Sequence, residues 1–227
     1  MAITVLQTKT ATGTIATTLT VTISATTAGS SLFVTTGEFK ATGAQFVTGV
    51  TAGAATFTDG QFQQDGGGAV FSEVWWADNI PSGITSVVIT FQGANTDTAA
   101  IVYEVSGLTS SSVDTSTGNG ANSSSSPFSW SSGTSTTLAQ SSEIAIGTTA
   151  QAIVTTITGP GAPWVNTALT SVSLKMMSGT KILSSTAGVA YAGSTTFTGT
   201  ADFATCVMMF KGAAASTLSR LLLAVFP

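Results

Sequence analysis

The chain has no histidine, a single cysteine and, in 227 residues, only six basic and ten acidic side chains. Each scarcity removes a class of chemistry. Histidine is the usual acid–base group near neutral pH and the commonest transition-metal ligand. Its absence excludes a Ser-His-Asp triad, a Cys-His dyad and a histidine-bound zinc. Cys206, alone, closes no intrachain disulfide; within the apolar run 203–210 it reads as a small buried core residue. The cations Lys9, Lys40, Lys175, Lys181, Lys211 and Arg220 are scattered and make no basic patch, which argues against nucleic acid as a partner. No stretch approaches the roughly 18 apolar residues that cross a bilayer, so no membrane partner is expected although mean hydropathy is positive. The opening MAITVLQTKTATG lacks the basic segment, apolar core and cleavage site of a secretory signal, so synthesis in the cytoplasm of a host is expected.

What is present suits twisted sheets. About a third of the residues are serine or threonine, and 43% are hydrophobic. Short alternating runs of Thr, Val, Ile and Phe are punctuated by glycine, the pattern of an all-β protein. Thr14 to Ser24 is one such run, and its change of phase near Thr17-Thr18 predicts a bulge. Further strands are expected at 31–36, 44–50, 54–58, 70–78, 84–91 and 99–106, with turns at Asp59-Gly60 and Gly93–Asp97. The three middle strands predict a meander or Greek-key portion of an antiparallel sandwich. Residues 110–135, almost all Ser, Gly, Thr and Asn around Pro127, Phe128 and Trp130, read as a long surface loop. Strands resume at 143–147, 152–157, 171–177, 181–184, 188–192, 195–199 and 203–211, about ten to twelve in all.

Two stretches carry more than a pattern: Val74-Trp-Trp-Ala-Asp-Asn-Ile-Pro-Ser-Gly83 with Thr85–Phe91, and Ala100-Ile-Val-Tyr-Glu-Val-Ser-Gly-Leu108 with Ser142–Gly147. Their succession, closed by Val207-Met-Met-Phe-Lys211, resembles a jelly-roll-like β-sandwich module of phage virion proteins and some bacterial extracellular proteins. The resemblance spans residues 3 to 211. It departs from the usual module at 47–57, where a hairpin motif is degraded, and in the additional residues 212–227. It implies a jelly-roll-like antiparallel β-sandwich over residues 1–211 with a C-terminal arm or short helix at 212–227. It also implies a virion location and a non-enzymatic structural role. The expected function is capsid decoration, or cement, by a homo-oligomer, a trimer being favoured, that contacts other virion proteins such as the major capsid protein. A tail-fibre component fits the same features. No catalytic residue, cofactor or metal follows from it.

Most of the candidate residues also have ordinary structural roles. Glu73 and Asp78 lie five apart on one strand and point to opposite faces, so they make no carboxylate pair. Glu104, between Tyr103 and Val105, reads as a partly buried structural acid. Asp59, Asp65, Asp78, Asn79, Asn95 and Asp97 sit where turns are expected; loop oxygens suit calcium, but turn chemistry alone accounts for them. Trp75 and Trp76, adjacent on a strand, must face opposite ways. Trp76, Trp130 and Trp164 are candidate contacts for a glycan or a protein partner, and a carbohydrate-binding or host-adhesion module is the rival function. The apolar segment at 218–226 is the expected interface. Its Leu218, Leu221, Leu222, Leu223, Val225 and Phe226 must pack on their own domain or, the favoured reading, on another subunit.

Overall fold

A computed structural model describes residues 2–40, 46–123 and 125–214, the side chains of Ser123, Ile153 and Val154 excepted. It is all-β: twelve strands, and no helix among the described residues, form two antiparallel sheets packed as a sandwich compatible with a jelly roll. In chain order the strands are β1 (Thr4–Thr22), β2 (Ser31–Phe39), β3 (Val47–Thr51), β4 (Thr58–Gln64), β5 (Val70–Ala77), β6 (Ser86–Ser106), β7 (Leu108–Ser123), β8 (Phe128–Ser131), β9 (Glu143–Thr158), β10 (Val165–Thr170), β11 (Leu174–Leu183) and β12 (Ala192–Gly212). The first sheet runs β1-β6-β2-β5-β4, with β3 also on β6; the second runs β10-β11-β9-β12-β7, with β8 also on β12.

Period-two alternation sorts the side chains of each strand between two apolar layers. On β2, Phe33 faces the opposite sheet while Leu32 and Val34 face away. On β12, Ala204, Cys206, Met208 and Phe210 point inward and Phe203, Val207 and Met209 outward. All of these are buried, because both outer faces are covered as well. The second half of β1, the first half of β6, and β3 join Trp75, Ile80 and Ile84 in a cluster on the outer face of the first sheet. Leu138, between β8 and β9, and Val189 and Tyr191, between β11 and β12, cover the second.

The β1–β6 ribbon turns its corner where the change of phase predicts a bulge: the register slips between Ala16 and Thr18, and Ile15 takes φ 48°. Gly93–Asp97 is therefore not a chain reversal. It is the β6 side of that corner, and β6 continues through it. Of the two expected arrangements, the meander is ruled out: the second and third of its strands are one strand, β6, and β2 lies between β5 and β6. Residues 110–135 are not a loop either: β7 pairs with β12 from Leu108 to Ser123, and β8 pairs with β12 beyond it.

Candidate functional site

The two sides of the sandwich differ. On one side β4 and β7 lie together and close it. Ser116 Oγ donates to Gln61 Oε1 at 2.7 Å. Gly118 and Gly120 of β7 lie so close to Gln63 and Gln64 of β4 that a Cβ at either would collide with them. On the other side the edge strands β1 and β10 leave a cleft of about 360 Å³, whose lining includes Ile3, Val5, Tyr103, Val165, Thr167 and Ile182. Tyr103 is buried, and its hydroxyl has no well-formed hydrogen bond. Burial pushes this phenol far up, a rise the nearby Ser178 and Thr167 hydroxyls only temper. Val165, on β10, is 71% exposed, Ile182, on β11 beside it, 54% and Leu6, on β1, 43%, so this open side carries apolar side chains on and next to the edge strands β1 and β10, each of which lacks a ladder partner on its outer side.

A second cleft, of about 350 Å³, opens beside the closed side, between β4, the end of β5 and the start of β7. It is lined by Thr56, Thr58, Trp76, Asp78, Ser110, Ser111, Ser112 and Val113. Asp78 is held in place: Oδ1 accepts from Ser31 Oγ and Ser112 Oγ, each at 2.8 Å, and Oδ2 accepts from Ser112 N at 3.1 Å. Trp76 is half-buried, its ring tilted against Phe210 at 6.0 Å.

The other tryptophans are placed differently. Trp130 does not sit in a loop and offers no platform. It lies on β8, 1% exposed, against Tyr191 in the outer cluster. Pairing of β8 with β12 draws it in, which composition alone concealed. Trp164 precedes β10, half-buried, edge-on to Tyr191 at 4.8 Å with the Lys181 ammonium 6.0 Å from its ring. Trp75 is buried on the outer face of the first sheet. Leu218, Leu221, Leu222, Leu223, Val225 and Phe226 lie outside the described residues. The last described residues, Ala213 and Ala214, leave beside Gly107, whose carbonyl accepts from Ala213 N.

Most acids serve the scaffold. Glu104 accepts from Thr27 N, Ser30 Oγ and Gln7 Nε2, the role its neighbours in sequence suggest. Asp97, buried at the corner of β6, accepts from Ser171 Oγ and Ser173 N and so ties the second sheet to the first. Asp65 caps its own turn through the N–H groups of Gly67, Ala69 and Val70. Asp59 lies within β4 and not at a chain reversal.

Glu38 and Glu73 were not foreseen as a pair. Both are buried on the outer face of the first sheet. Glu73 accepts from Val47 N at 3.0 Å and Trp75 Nε1 at 2.9 Å, yet burial pushes it up to about 7. With Asp59 it lines a cavity of about 250 Å³ beside Phe46 and Phe62. Neither carboxylate oxygen of Glu38 has a well-formed hydrogen bond. Burial, then the charge of Glu73, pushes it well above its ordinary value, and the Thr36 hydroxyl offsets only part of this. With both oxygens of Glu73 already engaged by scaffold donors, the pair reads as a buried, proton-holding element of the sheet.

Among the described residues, no three Cys, Asp or Glu side chains are placed together as metal ligands. No protein-family model, no curated protein and no solved structure matches the chain.

Proposed function

We propose that this protein is a non-enzymatic structural component of a virion, a capsid decoration or cement protein that stabilises the shell through oligomeric contacts. The observation that carries the reading is the asymmetry of the sandwich. One side is shut by β4 pressed against β7; on the other the edge strands β1 and β10 stand apart around a cleft, with Val165 of β10, Leu6 of β1 and Ile182 of the neighbouring β11 exposed. Exposed apolar side chains along free sheet edges favour lateral association. The resemblance of the 74–91 and 100–108 stretches to phage virion modules supports the setting, and a surface poor in charge suits a protein largely covered by neighbours.

The test is the mass of the chain in solution by light scattering, together with its co-sedimentation with shells of the major capsid protein. A defined oligomer, a trimer, is expected, bound to shells. The double variant Val165→Asp and Ile182→Asp should give folded monomers that no longer sediment with shells. A native chain that is monomeric and leaves shells bare would sink the proposal. Removing residues 213–227 is expected to spare folding and abolish incorporation into shells.

A further inference from the structure

We infer that the cleft between β4 and β7 is a binding site for a neutral saccharide, with Trp76 as its stacking face and Asp78 as its fixed acceptor. The inference stands apart from the proposed shell role, since this cleft and the open edge lie on different sides of the molecule.

Three properties of the cleft define its ligand. The first is its size, about 350 Å³, within the roughly 300–1,000 Å³ of small-molecule sites. The second is the identity of its walls. Thr58, Ser110 and Ser111 are exposed hydroxyls, and each both donates and accepts. A ligand with many hydroxyls satisfies such walls; an apolar one leaves them unpaired in the bound state, at a cost of about 1–3 kcal/mol for each buried group. The third is the aromatic ring. Trp76 is half-buried, its ring against Phe210 and the inter-sheet core on its inner side and close to Gly60 of β4, with its remaining surface in the lining of the cleft. A pyranose joins an apolar C–H face to a rim of hydroxyls, and a tryptophan offers an apolar face beside a polar surface.

Asp78 refines the choice. Its carboxylate is oriented before any ligand arrives, by Ser31 on one side and Ser112 on the other, so binding orders no side chain there. A carboxylate oxygen takes more than one hydrogen bond, and bonds to an ionised acceptor are stronger than neutral ones. No lysine or arginine lines the cleft. An acidic sugar would meet like charge with nothing to neutralise it, so neutral sugars are selected over sialylated or uronic ones. A metal would find only one carboxylate here.

The test uses the full chain against an array of glycans carrying neutral, N-acetylated, sialylated and uronic-acid termini, followed by calorimetric titration with the best neutral sugar. Binding to neutral termini is expected, with acidic termini at least about tenfold weaker. Ser111→Trp fills the cleft from an exposed position and should weaken binding by at least about tenfold while leaving the melting temperature unchanged. Trp76→Phe, which keeps a ring against Phe210, should weaken it less than Ser111→Trp. The inference fails if no neutral glycan is bound, if acidic glycans bind as well as neutral ones, or if Ser111→Trp binds like the native chain.

Discussion

Glu38 sits where an apolar residue would be expected, facing outward from β2 beneath a covered sheet and within the field of Glu73. Both acids have raised values, so the folded state holds their protons longer than the unfolded chain does. Their ordinary value is 4.5. Below that pH both states are protonated and the full stability is present. Above it the unfolded chain ionises first, and stability falls as pH rises, through about 7 for Glu73 and further for Glu38. Glu38→Gln should therefore raise the melting temperature at pH 8, by the equivalent of about 2 kcal/mol, and change little at pH 4. Melting temperatures of both proteins across that range decide it; a native protein as stable at pH 8 as at pH 4 contradicts the burial of these charges. Glu73 was visible in sequence, but its pairing with Glu38 was not, because the two belong to different strands. The structural role of Glu104 was legible from Tyr103 and Val105 beside it, though it is fully buried where partial burial was expected.

At the scale of elements, what could be read was whatever alternates. The β1 run, its bulge, β5 and the two halves of β6 follow from side-chain period and β-branched content, though the two halves read as separate strands. What could not be read was pairing through the backbone alone. β7 is Ser, Gly, Thr and Asn, a loop by composition, yet β12 supplies its hydrogen bonds, and its glycines are there to admit β4. The apparent turn at Gly93–Asp97 is likewise half of a corner whose other half, at Ile15, lies some eighty residues earlier. Ile15 is the strained member of that corner: a β-branched side chain, 80% exposed, at φ 48°. The left-handed region disfavours β-branched residues and tolerates asparagine. Ile15→Asn should raise stability by about 1 kcal/mol, read as a higher urea midpoint with an unchanged slope; a lower midpoint would mean that the side chain holds the corner. As for the site, Trp76 was legible as a candidate, but Ser110, Ser111 and Ser112 were not, because nothing in the sequence places the start of β7 beside the end of β5.

For the whole molecule, the contrast between a shut side and an open one is the organising fact. The shut side depends on close backbone approach: a Cβ at Gly120 would strike the Gln64 carbonyl. Gly120→Ala should cost about 2–3 kcal/mol in chemical denaturation. Gly49→Ala, on β3 where an added Cβ would meet nothing within 4 Å beyond its chain neighbours, is the control and should be nearly neutral. Equal effects of the two would mean that β4 and β7 are not pressed together. The strand order also bears on how the protein comes to exist. β12 lies between β9 and β7, and it is the sole ladder partner of both β7 and β8 among the described strands. On a ribosome, residues 108–131 emerge long before the strand that will receive them. β9, β10 and β11 can pair among themselves, but β7 and β8 cannot be joined to them until β12 has cleared the exit tunnel. A message interrupted anywhere within β12 would yield a first sheet with its ladders complete and a second torn down its middle, so quality control of this fold falls on the last of its described strands.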